Sequence, residues 1–322
     1  MTIADRVQAR LDGKTKPRGS LGRLEELAVR IATIVGAENP GGLEAAVVVA
    51  AADHGVADEG VSAYPQEVTR QMVANFESGG AAVSVLARQA GARVVVVDVG
   101  VGNPTGNIAA GPALSRAEAD SLVARGRATA AELYADGIRI VVPGEMGIAN
   151  STVAAALAAA LTGVDPADVC GPGTGLAADG VAHKVDVVRR ALAANPVDRG
   201  DGLGVLAALG GRELAYLSGL VLGAHSSRMV VLLDGFISST AALVATRIDV
   251  GVASSLVAAH RSPEPGHAHV LTALGLEPLL DLELRLGEGS GGALALPLLA
   301  AALAILDEMA TFEDAGVTDA GR

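Results

Sequence analysis

A single carboxylate stands among glycines near the end of the chain, in the segment Arg285-Leu286-Gly287-Glu288-Gly289-Ser290-Gly291-Gly292. An apolar helix is predicted to begin directly after this segment, near Ala293. Glycine allows a backbone to fold closely against a ligand, and the start of a helix offers free N–H groups to an anion. Glu288 is therefore the first candidate for a chemical role.

The same segment has the G-x-G-x-x-G spacing of a dinucleotide-binding loop, through Gly287, Gly289 and Gly292. That fingerprint requires a strand-helix-strand unit and an acidic residue beyond it. Only 30 residues follow Gly292, and the acids Asp307 and Glu308 lie at the end of the predicted helix. The dinucleotide interpretation is rejected, while a simple turn that caps the helix stays open as an alternative.

The composition excludes several classes of protein. With 322 residues, 50% of them hydrophobic, the chain can bury a large core, and its net charge of −12 argues against nucleic-acid or anionic-membrane partners. The single cysteine, Cys170, excludes an internal disulfide framework and fits a cytoplasmic location. No signal peptide is recognised at the N-terminus. The uncharged runs Met146–Val164 and Gly289–Leu306 are predicted to be buried core helices rather than membrane spans.

Short β-branched runs alternate with alanine-rich helical stretches, which is typical of parallel strands joined by crossover helices. The pattern predicts an α/β fold with a doubly wound, mostly parallel, Rossmann-like sheet. The clearest strands are Ala45–Ala51, Arg93–Val99, Ile138–Val142 and Met229–Leu233. Helices are predicted at Leu21–Val35, Pro65–Phe76, Ala81–Gln89, Arg116–Asp136, Thr152–Leu161, Asp179–Asn195, Leu214–Ala224, Ser239–Arg247 and Ala293–Ala310.

Each predicted strand ends in a polar or glycine-rich turn. These turns are Asp53-His54-Gly55, Asp98-Val99-Gly100, Pro143-Gly144-Glu145 and Asp234-Gly235. Ligands of open parallel sheets bind beyond the carboxyl ends of the strands, so the turns are predicted to face one crevice. Residues 39–285 are predicted to form the α/β core, and residues 1–38 with 286–322, which lack strands, a small helical lobe.

The glycine-rich segment Gly171-Pro172-Gly173-Thr174-Gly175 precedes a helix that carries His183 and Lys184. Its N–H groups and the Lys184 ammonium could hold a phosphate. The segment lacks the G-K-[ST] ending of a Walker loop, which argues against an ATPase. A connecting turn with a solvated lysine explains the same residues about as well.

The segment Gly144–Thr152 follows a predicted strand and precedes a helix, so it brings a carboxylate, an amide and two hydroxyls to the crevice. Asn150 or Ser151, taken alone, is more simply explained as the N-cap of that helix. Glu145 lies at a strand end beside glycine, where no capping role is available to it. Its carboxylate could bind the hydroxyls of a sugar.

A metal site is the main alternative. His260, Glu264, His267 and His269 lie close together in the sequence, and Asp53 and His54 could join them from another turn. The proline-bent segment from His260 to Gly266 does not present two histidines on one helix face, which weakens this interpretation. A metal-dependent phosphatase or hydrolase built on Asp53, His54, Glu264, His267 and His269 stays open. So does a non-enzymatic nucleotide-binding module that uses the glycine loops.

The order of these segments resembles the nicotinate-nucleotide:dimethylbenzimidazole phosphoribosyltransferase family, which makes the lower-ligand nucleotide of cobalamin. The resemblance extends over nearly the whole chain. It rests on the blocks Lys16–Glu25, Ala52–Val56, Gly144–Thr152, Lys184–Arg190, Leu232–Phe236 and Arg285–Gly292.

The resemblance implies transfer of 5-phosphoribose from nicotinate mononucleotide to a benzimidazole nitrogen, without a cofactor or a metal, by a homodimer. It places Glu288 as the general base, Glu145 at the ribose and Lys184 at the phosphate. A largely dry pocket raises the pKa of such a base. The further binding residues that it suggests are Tyr64, Gly147, Asn150, Gly173, Gly175, Gly289, Ser290 and Gly291.

Overall fold

The computed structural model describes residues 1–318, which form an α/β fold. The strands in this range are β1 (Glu44–Ala52), β2 (Arg93–Gly100), β3 (Ile138–Met146), β4 (Val230–Leu233) and β5 (Leu256–Ala258). The helices are α1 (Ile3–Asp12), α2 (Arg23–Val35), α3 (Val68–Glu77), α4 (Ala82–Gln89), α5 (Arg116–Ala135), α6 (Asn150–Thr162), α7 (Pro166–Val169), α8 (Ala178–Ala194), α9 (Gly202–Leu209), α10 (Arg212–Ser226), α11 (Phe236–Ile248), α12 (Pro265–Leu274), α13 (Ser290–Glu308) and α14 (Phe312–Ala315).

The strands lie in the order β2-β1-β3-β4-β5, and each neighbouring pair is parallel. This is a doubly wound order, so the predicted fold class is confirmed. The chain leaves β1 toward one edge of the sheet and leaves β3 toward the other. The carboxyl ends of β1 and β3 therefore border the topological switch point, where such folds bind ligands.

Helices cover both faces of the sheet. Along β1, Ala46, Val48 and Ala50 point into one core with residues of α5, α6, α10 and α11, while Val47 and Val49 point into a second core with residues of α1, α2, α4 and α13. Burial on both faces is why the parallel strands consist of nearly continuous apolar runs rather than alternating apolar and polar residues. The carboxyl ends of the strands, where the crevice lies, are thus held between two packed layers.

The two chain ends meet on the second of these layers. Helices α1, α2 and α13 pack on one another, and Leu299 and Leu303 of α13 share a core with Val142 of β3. Helix α13 is long and apolar enough to cross a membrane, but 56% of its apolar window is buried inside the protein, as in a core helix. The division into residues 39–285 and a terminal lobe stays a prediction, and residues 319–322 of that lobe lie outside the described residues.

The structure corrects one predicted feature and adds two elements that were not predicted, strand β5 and helix α12. Strand β3 continues through the predicted turn at Pro143-Gly144-Glu145, so Glu145 lies within a strand. Strand β5 has only three residues, too few for a recognisable strand pattern. His267 and His269 lie on helix α12, which begins with Pro265 at its first position, where proline's missing N–H costs nothing.

Helices α5 and α10 approach each other closely at two glycines. A Cβ built on Gly126 would lie 2.6 Å from the backbone nitrogen of Leu220, and one on Gly219 would overlap the backbone of Val123. Neither neighbour is a flexible side chain that could move aside. The separation of these two helices is therefore set by the absence of side chains at both positions.

We expect Gly126→Ala to destabilise the protein by about 1–3 kcal/mol, because the added methyl group forces α5 and α10 apart. Helix propensity alone would give a gain of about 0.5–1 kcal/mol, which is the opposite sign. The measurement is urea unfolding. Ser121→Ala, at an exposed position of the same helix, is the control and should stay within about 0.5 kcal/mol of the unmodified protein. A more stable Gly126→Ala variant would contradict this packing account.

Candidate active site

A cavity of about 480 Å³ opens at the carboxyl ends of the strands. It lies where the doubly wound order predicts a ligand site, and its volume suits a small organic ligand. The residues that line it are Tyr64, Val68, Met72, Glu145, Met146, Gly147, Ile148, Asn150, Ser151, Gly173, Thr174, Asp234, Gly235, Phe236, Ile237, Ser238, His260, Ser262, Glu264, Arg285, Leu286, Gly287 and Glu288.

Glu288 is one of these lining residues, and it is only 5% exposed. Its Oε2 atom is buried and has no hydrogen-bond partner among the residues that the structure describes. Burial raises the pKa of its carboxyl, the charge of Asp234 adds to the increase, and the backbone N–H of Val83 opposes it. A carboxylate with a raised pKa and a free oxygen can accept a proton from a bound ligand.

The loop that carries Glu288 is held by the carboxylate of Asp234, the residue that follows β4. Its Oδ2 accepts the backbone N–H of Gly289 at 3.1 Å, and its Oδ1 accepts those of Gly291 at 2.7 Å and Gly292 at 3.1 Å. The prediction that the helix start offers free N–H groups to a ligand is therefore wrong, because Asp234 is the anion at this helix start. Gly289, Ser290 and Gly291 lie behind the cavity wall.

The backbone of this loop is in the left-handed region at three successive residues, with φ of +84° at Gly287, +65° at Glu288 and +90° at Gly289. Such a φ is rare for a residue with a side chain and costs of order 1–3 kcal/mol. The hydrogen bonds to Asp234 offset that cost. The ring of His260 lies beside the same carboxylate, with its Nε2 at 3.4 Å from Oδ1 of Asp234.

Close approach of the loop to β3 depends on Gly144. A Cβ built there would overlap the backbone carbonyl of Glu288 and would lie 3.1 Å from the nitrogen of Gly289. The strand and the loop therefore touch backbone to backbone. This contact brings Glu145, the next residue of β3, beside Glu288.

Glu145 is 7% exposed and directly joins the strand to the loop. Its Oε1 accepts the backbone N–H of Glu288 at 3.3 Å, and its Oε2 accepts the side-chain amide of Asn150. Burial raises the pKa of Glu145 to about 8, the amide of Asn150 opposes the increase, and the charges of Asp234 and Glu213 add to it. Asn150 thus orients Glu145 and forms no side-chain cap on α6, whose N-cap position is Ala149.

The glycine-rich segment Gly171–Gly175, which is predicted to hold a phosphate, lies at another part of the cavity. Gly173 lines the cavity, whereas Gly175 and Lys184 lie outside the wall. Lys184 is 1% exposed, and its Nζ donates to Oγ of Ser151 at 3.0 Å and to the carbonyl of Gly171 at 3.2 Å. Burial lowers its pKa. The lysine is therefore buried behind Ser151 rather than solvated on the helix surface.

Apolar side chains form another part of the wall. Val68 and Met72 lie one helical turn apart on α3 and both line the cavity, as do Leu286 and the 55% exposed Tyr64. Aliphatic and aromatic side chains of this kind suit a flat, apolar ring.

Asp53 and His54, the two residues that follow β1, are not placed to bind a metal in the cavity. His54 is fully buried with its Nε2 at 3.0 Å from Oε1 of Glu213, and Oδ2 of Asp53 accepts the backbone N–H of Gly102 at 2.7 Å. His54 thus lies against Glu213, Asp53 is bonded to the backbone of Gly102, and neither residue is part of the cavity lining.

The remaining residues of that alternative are also separated. His267 uses both ring nitrogens, accepting the N–H of Ser262 at Nδ1 and contacting Oγ of Ser239 with Nε2, and burial lowers its pKa to about 4. Glu264 accepts the N–H of Gly173, and His269 is half-buried on α12. Within the described range 1–318, no group of three His, Cys, Asp or Glu side chains is arranged to hold a metal ion.

Asp234 is the site residue that the sequence reasoning missed as a functional candidate. Its position directly after a buried strand was the available signal, because such positions face the crevice. Its partners, Gly289, Gly291 and Gly292, lie more than fifty residues further along the chain. No local pattern connects them.

Comparison with known proteins identifies the family. A family model described as phosphoribosyltransferase matches residues 1–317. The nicotinate-nucleotide–dimethylbenzimidazole phosphoribosyltransferase of Pseudomonas fluorescens is 50% identical, over 98% of this chain and 95% of that protein. The protein of the same name from Roseiflexus sp. is also 50% identical, over 97% of this chain and 93% of that protein.

A solved structure agrees with the sequence comparison. The crystal structure of CobT from Thermus thermophilus superimposes with a TM-score of 0.93 at 47% identity and covers 98% of this chain and 99% of that one. Similarity in sequence and in fold thus extends over the same nearly complete length. The chain belongs to the nicotinate-nucleotide–dimethylbenzimidazole phosphoribosyltransferase family.

Proposed function

We propose that this protein transfers 5-phosphoribose from nicotinate mononucleotide to a ring nitrogen of 5,6-dimethylbenzimidazole. The lone pair of that nitrogen attacks the anomeric carbon, and the bond from this carbon to the pyridine nitrogen breaks. The bonding electrons return to the pyridinium ring, which leaves as nicotinate. The other benzimidazole nitrogen loses its proton to Glu288, and the product is α-ribazole 5′-phosphate.

The observation that carries this proposal is the unpartnered Oε2 of Glu288 at the wall of the cavity. The attacking ring becomes cationic as its nitrogen bonds to carbon, so its remaining N–H becomes strongly acidic and needs an acceptor. A buried carboxylate with a raised pKa is a stronger base than a solvated one. The leaving pyridine is already cationic in the substrate and needs little acid assistance, so we propose a reaction without a cofactor.

The other cavity residues are proposed to position the two substrates. Glu145 and Asn150 would hold the ribose, with Gly147 allowing close approach. Gly173 would hold the phosphate, with Lys184 supplying positive charge from behind the wall. Gly175, which also lies outside the wall and donates its N–H to the carbonyl of Pro172, would only shape the turn. Alignment of two bound reactants lowers a barrier by up to about 7–11 kcal/mol.

The base is proposed to lie against Tyr64, Val68, Met72 and Leu286, which are the apolar part of the lining. Gly289, Ser290 and Gly291 would act indirectly, because they shape the loop that carries Glu288. We further propose a cytoplasmic homodimer. The one cysteine, Cys170, is buried and unpaired, which fits a reducing compartment.

We expect Glu288→Gln to lower kcat by roughly 10²- to 10⁴-fold, because the amide keeps the shape of the side chain but cannot accept the ring proton. The KM for nicotinate mononucleotide should change little. The measurement is steady-state formation of α-ribazole 5′-phosphate across a range of pH. The unmodified protein should gain activity with rising pH above the ordinary glutamate pKa of 4.5, since burial raises the pKa of Glu288, and the variant should lack this rise.

The control is Glu283→Gln, an identical substitution five residues earlier. Glu283 also has a left-handed backbone, with φ of +57°, but its side chain is exposed. Its kcat should match that of the unmodified protein. Near-normal turnover by Glu288→Gln would remove this glutamate from the mechanism.

Glu145→Gln should change how stability depends on pH. The raised pKa of Glu145, about 8, means that the folded protein holds a proton that the unfolded chain loses near pH 4.5. Its stability should therefore fall as the pH rises from 4.5 to about 8, whereas the glutamine variant lacks this contribution. Thermal unfolding of both proteins at several pH values tests this. Stability curves that run parallel from about pH 5 to about pH 8 would show that Glu145 ionises normally.

A further inference from the structure

The wall of the cavity also contains Glu264, a buried carboxylate that has no part in the proposed proton transfer. It precedes helix α12 and is 8% exposed. Its Oε1 accepts the backbone N–H of Gly173 at 2.9 Å, and its Oε2 is buried without a hydrogen-bond partner in the described part of the chain. A buried carboxylate oxygen without a partner is costly, so its presence at a ligand cavity calls for a function.

Glu264 lies beside the proposed phosphate site, because it contacts the N–H of Gly173. Gly173 has φ of +52°, and a Cβ built on it would lie 2.6 Å from Oγ of Ser151 and 3.3 Å from Nζ of Lys184. One backbone N–H, one hydroxyl and one ammonium therefore converge around this glycine. This is the set of donors with which proteins hold a phosphate group.

The carboxylate of Glu264 already uses part of that donor set. It occupies the N–H of Gly173, and its charge is the strongest of those that favour the protonated form of Lys184, whose pKa burial lowers. In the absence of ligand, the buried ammonium thus has a nearby negative charge. A phosphate dianion in the same place would meet that charge at short range, where two anions repel strongly.

We propose that Glu264 is an internal counter-anion, which the phosphate of the substrate displaces from Gly173. This inference rests on the proposed function, because it takes the phosphate of nicotinate mononucleotide as the incoming group. While the site is empty, Glu264 satisfies the N–H of Gly173 and neutralises Lys184. When the phosphate enters, the carboxylate moves away, and when the product leaves, it returns. Glu264 therefore weakens the binding of substrate and product alike.

A glutamine at this position separates the two roles that Glu264 could have. Glu264→Gln keeps a carbonyl oxygen that can accept the N–H of Gly173, but it removes the negative charge. If Glu264 only holds the loop, the variant should bind phosphate as well as the unmodified protein or more weakly. If Glu264 is a counter-anion that phosphate displaces, the variant should bind phosphate more tightly.

The experiment is calorimetric titration of the unmodified protein and Glu264→Gln with inorganic phosphate. We expect the Kd for phosphate to fall about tenfold or more in the variant, since a short-range repulsion is removed. The KM for nicotinate mononucleotide should fall in the same direction. The Kd for 5,6-dimethylbenzimidazole, which carries no phosphate, should stay unchanged. A partly misfolded variant would bind phosphate more weakly. Tighter binding of phosphate therefore cannot result from damage to the fold.

The matched control is Glu132→Gln, which removes one negative charge from an exposed position on α5. It should bind phosphate as the unmodified protein does. An unchanged or raised Kd for phosphate in Glu264→Gln would overturn the proposal.

A crystal structure of the unmodified protein with inorganic phosphate tests the same idea without a variant. We expect Gly173 to donate to the phosphate and Glu264 to have moved away. A carboxylate still bonded to Gly173 beside a bound phosphate would also overturn the proposal.

Turnover of nicotinate mononucleotide, measured in parallel, tests the proposed function separately from the counter-anion role of Glu264. If the unmodified protein forms no product, the proposed function is contradicted. If it turns over normally but Glu264→Gln does not bind phosphate more tightly, only the counter-anion role is contradicted.

Discussion

The carboxylate of Asp234 is the contact on which the geometry of the site depends. It receives three backbone N–H groups from the start of helix α13, so it completes the helix terminus and fixes the left-handed loop before it. Hydrogen bonds to a charged acceptor are about twice as strong as neutral ones. Because Asp234 follows β4 directly, the loop is tied to the sheet itself, and Glu288 keeps its position even though its backbone conformation is unfavourable.

Burial then gives the anchored carboxylates their chemistry. Glu145 and Glu288 lie next to each other because Gly144 lets the loop touch β3, and burial raises the pKa of both groups. They differ in their partners. Glu145 is bonded to Asn150 and to the backbone of Glu288, whereas Oε2 of Glu288 has no partner in the residues described. The first arrangement suits a group that orients a substrate, and the second suits one that accepts a proton.

Local sequence patterns predicted much of this architecture. The four longer strands were recognised because their β-branched runs are bounded by turn residues, and the loop around Glu288 because its glycines surround one charged residue. Strand β5 is too short to be recognised from sequence, and Pro143-Gly144 predicts a turn because these residues usually end a strand. In the structure, Gly144 is needed for a backbone contact with a residue more than a hundred positions away. The roles of Asp234 and Glu264 also depend on partners distant in sequence, which only the folded chain brings together.

In the proposed reaction, Oε2 of Glu288 receives the proton of the ring N–H of the acceptor base. The most direct test is a crystal structure of the protein with 5,6-dimethylbenzimidazole alone. We expect the ring to lie against Val68 and Met72, with one ring nitrogen about 2.6–3.2 Å from a carboxylate oxygen of Glu288. A ring bound elsewhere, or a Glu288 carboxylate turned toward a protein donor while the ring occupies the cavity, would contradict it.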